Sequence, residues 1–222
     1  MAQTVRDAVL HNPAMARVFE RHGIDYCCGG QRPLDEVCTE KGLSPEALIA
    51  EALPPTEPDI DWNQAPLPDL IQHILDRHHV YLRAALPELE RKLVRVREAH
   101  GATDGPTLEE LGRIFIGLRD ELMSHMAKEE QILFPMIQRL SSGLPAPMSL
   151  DGPIGMMEYE HESAGNALAA MRRVTSGYVL PAHACGTYSA LYHQLAELEA
   201  DLHQHIHLEN NILFPRAAGI RA

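Results

Sequence analysis

His125 and Glu129 stand four residues apart, and so do His205 and Glu209 in a near copy eighty residues further on. The two stretches read His125-Met-Ala-Lys-Glu129-Glu-Gln-Ile-Leu-Phe-Pro135 and His205-Ile-His-Leu-Glu209-Asn-Asn-Ile-Leu-Phe-Pro215. On a helix, side chains at i and i+4 lie on one face a turn apart. An imidazole and a carboxylate placed that way can serve one or two transition-metal ions. A further histidine precedes each copy, His79 by 46 residues and His161 by 44. Those intervals are close to the length of a helical hairpin, so the chemistry implies one two-helix unit used twice.

Four long helices must position these residues, and the three-four spacing of a bundle seam tests whether the ligands face inward. The second helix gives Leu111, Phe115, Leu118, Leu122, His125, Glu129, Ile132 and Met136. The fourth gives Tyr188, Leu191, Leu195, Leu198, Leu202, His205, Glu209 and Ile212, and the third runs from Ile154 and Met157 through His161 to Ala164, Leu168 and Met171. In the first helix, Val96, Leu93, Leu89, Leu86 and Leu82 step back to His79 and then Leu75, which leaves the adjacent His78 off the register. Pro87 should kink that helix. The Leu-Phe-Pro endings should terminate the helices soon after each motif. Gly101–Pro106, Ser141–Pro153 and Ser176–Pro181 supply the connections. The fold class expected is all-α: an antiparallel four-helix bundle over 65–222, with ligands from every helix at one level of the core.

Burying two carboxylates and four imidazoles without compensation costs several kcal/mol each, against a typical net stability of roughly 5–15 kcal/mol. Metal ions offset that penalty. The ligand types suit iron, manganese or zinc. If both glutamates bridge, two six-coordinate ions keep about four positions for an oxo or hydroxo bridge and exogenous ligands. Open positions imply small-molecule or redox chemistry. The ferritin-like pattern needs two Glu-x-x-His motifs, and only Glu158-Tyr-Glu-His161 has that spacing. Glu121, one turn before His125, and Glu160, beside His161, are candidates for orienting a ligand or lining a polar path to the site. His203 and His207 point off the seam and are expected on the surface.

Residues 1–53 read as a separate small helical module. Thr4 caps a first helix that Asn12-Pro13 interrupts, and a second stops at Gly23. Helices follow near 33–41 and 45–53, the latter announced by Ser44-Pro45. Between them lies Asp25-Tyr26-Cys27-Cys28-Gly29-Gly30. Adjacent cysteines rarely satisfy disulfide geometry with each other, so Cys27 and Cys28 are expected as a reactive, exposed pair for redox exchange, metal capture or cluster contact. Packing as two small apolar residues is the alternative. Residues 54–64, rich in proline, form a stiff linker.

The net charge of −12 argues against a non-specific nucleic-acid binder. No apolar run of about 18 residues is present, so no membrane span is expected. The N-terminal stretch lacks a signal-peptide pattern, and four cysteines with only two adjacent make no disulfide framework, so a reducing cytoplasm is expected.

The bundle motifs, Met157-Glu-x-Glu-His161 and the dicysteine stretch together resemble the di-iron iron–sulfur cluster repair family, the "repair of iron centres" proteins, across nearly the whole chain. The resemblance implies a hemerythrin-like bundle and two oxo- or hydroxo-bridged iron ions on His79, His125, Glu129, His161, His205 and Glu209. It also implies cytoplasmic action on iron–sulfur client proteins damaged by oxidative or nitrosative stress, by iron delivery or removal of NO. An O2 or NO carrier or sensor, and a di-iron NO or peroxide reductase, are the competing functions; the dicysteine module argues against a simple oxygen carrier. The sequence leaves oligomeric state open, a homodimer included.

Overall fold

The computed structural model describes residues 3–52 and 60–220. The first helices are α1 (Val5–His11), α2 (Ala14–Arg21), α3 (Leu34–Lys41) and α4 (Pro45–Glu51). Thr4 and Asp7 form a reciprocal cap on α1: the Thr4 hydroxyl accepts from the Asp7 N–H at 3.1 Å, and the Asp7 carboxylate accepts from the Thr4 N–H at 3.2 Å. Gly23, at φ +60°, turns the chain after α2 in a region that disfavours other residues. The Ser44 hydroxyl caps α4 by accepting from the Ala47 N–H. Val5, Val9, Met15, Phe19, Tyr26, Leu34 and Leu48 are buried together as a core of their own. The proline-rich stretch 53–59 lies outside the described residues.

The bundle begins with α5 (Leu67–His73), a π-helical turn at Ile74–His79, and the long α6 (Val80–Lys128). A second π turn, Glu129–Leu133, leads into α7 (Phe134–Ser141). Then come α8 (Asp151–Val174), α9 (Gly186–Leu208), a third π turn at Glu209–Leu213 and α10 (Phe214–Ala218). Helical assignment is unbroken through Gly101–Pro106, yet the chain doubles back there: Asp104 takes non-helical angles (φ −114°, ψ 16°). The halves of α6 then run antiparallel, with Arg119 paired to Glu90 and Gly112 against Leu93. Four rods therefore pack as the seam spacing predicts. No helix among the described residues is long and apolar enough to cross a membrane.

Three expectations need correction. Pro87 does not break its helix: it is exposed, Asp104 is where α6 departs from helical angles, and water can satisfy the carbonyl that Pro87 leaves unpaired. The Leu-Phe-Pro sequences do not end their helices either. The Phe134 N–H reaches back five residues to the Glu129 carbonyl, and Phe214 does the same to Glu209. That wider turn absorbs the missing N–H of Pro135 and Pro215, and the helix continues. The same extra residue shifts the seam by one. Ile132 is 50% exposed while Leu133 is buried, and in the first rod Ile74 is buried where Leu75 was expected.

The apolar interior is divided. One cluster runs from Leu82 and Leu122 up to Leu108 and Tyr188; another gathers Leu70, Ile74, Phe134, Met157 and Phe214. The six candidate ligands form a polar layer between them.

Candidate metal centre

His125 and Glu129 share one helical face, and the π turn starting at Glu129 closes the motif; His205 and Glu209 repeat the arrangement. His79 ends the π turn of the first rod, and His161 lies within α8. All six side chains are buried, Glu129 and Glu209 completely. One oxygen of Glu129 lies 3.3 Å from His125 Nε2, and the other lies 3.3 Å from His79 Nε2. Glu209 divides itself likewise between His205 Nε2 at 3.2 Å and His161 Nε2 at 3.1 Å. The donors fall into two groups, His79–Glu129–His205–Glu209 and His125–Glu129–His161–Glu209, each with its ligand atoms within 4.8 Å of one another. Both carboxylates belong to both groups, so each offers one oxygen to either histidine pair.

The hydrogen-bonding pattern tests whether cations fit. Both oxygens of Glu129, Oε2 of Glu209 and Nε2 of His79 are buried without a hydrogen-bond partner, although polar atoms lie within 3.3 Å of each. Atoms that close but misaligned point at a common third position rather than at each other. The imidazole tautomers agree. His79 Nδ1 donates to Glu130 at 2.7 Å, His125 Nδ1 to Glu160 at 2.9 Å, and His161 Nδ1 to the Asn210 side-chain oxygen at 2.7 Å. With Nδ1 protonated, each neutral ring turns the Nε2 lone pair inward. His125 Nε2 and His161 Nε2 then face each other at 3.0 Å, lone pair to lone pair. That contact is repulsive unless a cation or a proton lies between them.

Electrostatics point the same way. Burial opposes ionisation of Glu209, but His205 and His161 hold its pKa well below the usual carboxylate range. Burial likewise opposes charging His125, yet Glu129 and Glu209 push its pKa up to about 9; His79 also rises against burial, through Glu129. His205 goes the other way because its burial is complete. Without metal, protons do what cations would do with more bonds. The donor set fits a pair of transition ions.

Glu160, a candidate from its place beside His161, accepts instead from His125 Nδ1 and is bonded also to Lys128. Glu121 touches no candidate ligand; it accepts from the Ser163 hydroxyl at 3.0 Å and borders a narrow cavity with His125, Glu160, His161 and His205. Glu130 and Asn210 were not singled out from sequence. The available signal was that each immediately follows a candidate glutamate in the repeat. His78 is outside both ligand groups. Its Nδ1 bonds Asp201 at 3.0 Å, and its ring stacks on His205 with an interplanar angle of 6°.

Two expectations fail at the surface. His207 is buried rather than exposed, accepting from the Asn211 amide at 2.9 Å and packing with His203 around the Tyr26 ring. The cysteines are not an exposed pair. Asp25 folds the loop by accepting from the N–H groups of Cys27, Cys28 and Gly29. A Cβ at Gly30 would come within 2.5 Å of the Tyr26 carbonyl, so glycine is required. This loop docks on the bundle: Cys27 joins the bundle's apolar cluster, Cys28 Sγ lies 3.6 Å from the His161 carbonyl, and Asn211 donates to the Tyr26 carbonyl. The two sulfurs are 3.9 Å apart and unbonded. Cys28 hydrogen bonding, burial and the Asp25 carboxylate drive the Cys27 thiol's pKa up. Burial also raises Cys38, whereas exposed Cys185 comes down to about 7 through the His100 imidazole and the N–H groups of Tyr188 and Thr187.

Comparison with known proteins finds the hemerythrin HHE cation-binding domain over residues 70–217 and a domain of unknown function, DUF542, over residues 1–53. Similar curated proteins include the iron–sulfur cluster repair protein YtfE of Citrobacter koseri and of Escherichia coli O8. Each is 40% identical over 218 residues, covering 97% of this chain and 96% of the relative. The repair protein YtfE of Shigella boydii matches equally.

Proposed function

Since the chain belongs to the iron–sulfur cluster repair family with a hemerythrin HHE bundle, we propose that it restores damaged iron–sulfur clusters in client proteins. The observation that carries this reading is the pair of buried carboxylates shared between two histidine pairs. His79, His205, His125 and His161 would hold two iron ions, with Glu129 and Glu209 common to both. Such a pair supplies redox chemistry toward small ligands and a store of iron.

The chain's own residues set what can reach it. The candidate ligands are no more than 3% exposed, and the adjoining cavity between Glu121 and Glu160 is narrow. Such a cavity would admit nothing larger than a ligand of the size of NO or O2, and not a client's cluster. Glu130, Glu160 and Asn210 fix three rings so that Nε2 faces the ions and keep those rings basic. The apolar clusters on either side exclude bulk water. Cys28, partly exposed beside His161, would meet a client or pass iron or electrons outward. These features support NO removal at an enclosed metal site, or iron delivery by release past Cys28.

The test is a reconstituted assay in which iron-loaded protein restores a dehydratase whose cluster has been damaged by NO, with metal analysis and Mössbauer spectroscopy on the same sample. Two coupled irons per chain and recovered dehydratase activity are expected. A mononuclear signal, or zinc after iron-replete expression, overturns the metal assignment; no recovery overturns repair.

A further inference from the structure

At the end of the bundle away from the glutamates, His100, Asp104 and His183 offer ligand atoms that all lie within 4.8 Å of one another. Two pieces of chain bring them there, His100 and Asp104 being four residues apart in α6. His100 is near the end of the first rod, Asp104 is the non-helical residue at which α6 reverses, and His183 lies in the segment between α8 and α9. His79 and His100 sit on one rod 21 residues apart, so at a rise of 1.5 Å per residue this cluster is about 30 Å from the buried carboxylates. Cys185, the cap residue of α9, follows His183 by two residues, outside the group of converging ligand atoms.

His183 Nε2 and Asp104 bond at 2.8 Å, which could by itself explain why those two meet. It does not explain His100. The His100 Nε2 atom is buried and has no hydrogen-bond partner among the described residues, with its ring 5.9 Å from that of His183 and 5.2 Å from that of Tyr188. An unsatisfied buried nitrogen costs about 1–3 kcal/mol. A cation shared with Asp104 and His183 removes that penalty.

We propose that His100, Asp104 and His183 bind a single divalent transition-metal ion of the Zn2+ class. Two imidazoles and a carboxylate are donor types of a tetrahedral zinc site whose fourth position is left to water or an exogenous ligand. Bonds of about 2.0–2.3 Å would separate tetrahedral donors by roughly 3.3–3.8 Å. Exposed His183 can close the remaining distance by side-chain rotation. The bound ion ties the hairpin of the first two rods to the connection between the last two. This site is independent of the repair function and of the buried centre.

Iron-loaded full-length protein is titrated with Zn2+ by calorimetry while released iron is monitored. Uptake of one Zn2+ per chain without iron release is expected. His183→Ala, at an exposed position, should keep its helicity and iron yet bind Zn2+ at least roughly tenfold more weakly. Co2+ in the same site should show the visible absorption of a tetrahedral centre, weakened in His183→Ala. Absence of that absorption from the wild type overturns the site. Zinc binding unchanged in His183→Ala, zinc uptake matched by iron loss, or an anomalous diffraction peak away from His100 overturns the proposal.

Discussion

Each of three imidazoles at the buried centre is held by a partner on a different rod, and two of those partners, Glu130 and Asn210, directly follow a shared glutamate. Position i+4 on one helix can be read from sequence; the partner that a neighbouring rod presents cannot. That is why the six spacing-selected residues were legible and Glu130, Asn210 and Asp201 were not. It also separates two adjacent histidines. His78→Ala should leave metal content unchanged, because that ring only stacks on His205 and bonds Asp201, while His79→Ala should lose iron. Glu129→Ala and Glu209→Ala should each lower iron to about one per chain or less and reduce thermal stability, because metal binding contributes to folding. Metal analysis beside calorimetric melting reads both effects. Full iron in either glutamate variant would remove that carboxylate from the ligand set.

The three-four alternation identified the helices and the face carrying the ligands. It missed the π turns because Ile132 and Leu133 are both apolar, so a one-residue slip leaves no mark in hydropathy. The slip sets which residue reaches the core, and it lets proline stand one residue past Phe134 and Phe214 inside a continuing helix. The same limit hid His207. Nothing in its own helix shows that the Tyr26 loop will cover it. Burial lowers its pKa to about 4, with Arg6 adding to the effect against a Tyr26 backbone bond. An unfolded histidine titrates near 6.5. The stabilisation from the neutral ring is therefore complete above pH 6.5 and disappears as pH falls toward about 4, where the folded protein finally takes the proton. The expected loss over that window is roughly 3 kcal/mol. His207→Gln should shrink the stability difference between pH 7 and pH 4.5 by about that amount in denaturant titrations. An unchanged difference would show that the ring titrates normally.

At the scale of the molecule, the prolines before the bundle suggested two bodies with separate business, but the dicysteine loop lies on the bundle, and no local pattern announces such a contact. The two sulfurs consequently have different environments. Cys27→Ser places a hydroxyl in an apolar cluster and should destabilise the protein by roughly 1–2 kcal/mol with little direct effect on repair. Cys28→Ser should melt normally, retain iron and impair repair. Equal repair by Cys28→Ser and wild type would return that thiol to packing.

The twofold repeat within the bundle is imperfect. His205 has no partner on Nδ1, whereas His125, its counterpart in the repeat, donates to Glu160. The residue before the upstream histidine of each half differs too, His78 before His79 and Glu160 before His161. One ligand group thus contains a looser imidazole than the other. Chelation of the iron-loaded protein should be biphasic, the ion at His79 and His205 leaving first, with a half-loaded species in between. His161→Ala should remove the slow phase and His205→Ala the fast one. Two equal halves would give a centre with no order of release; the unpartnered His205 ring is expected to give this one a first ion and a second.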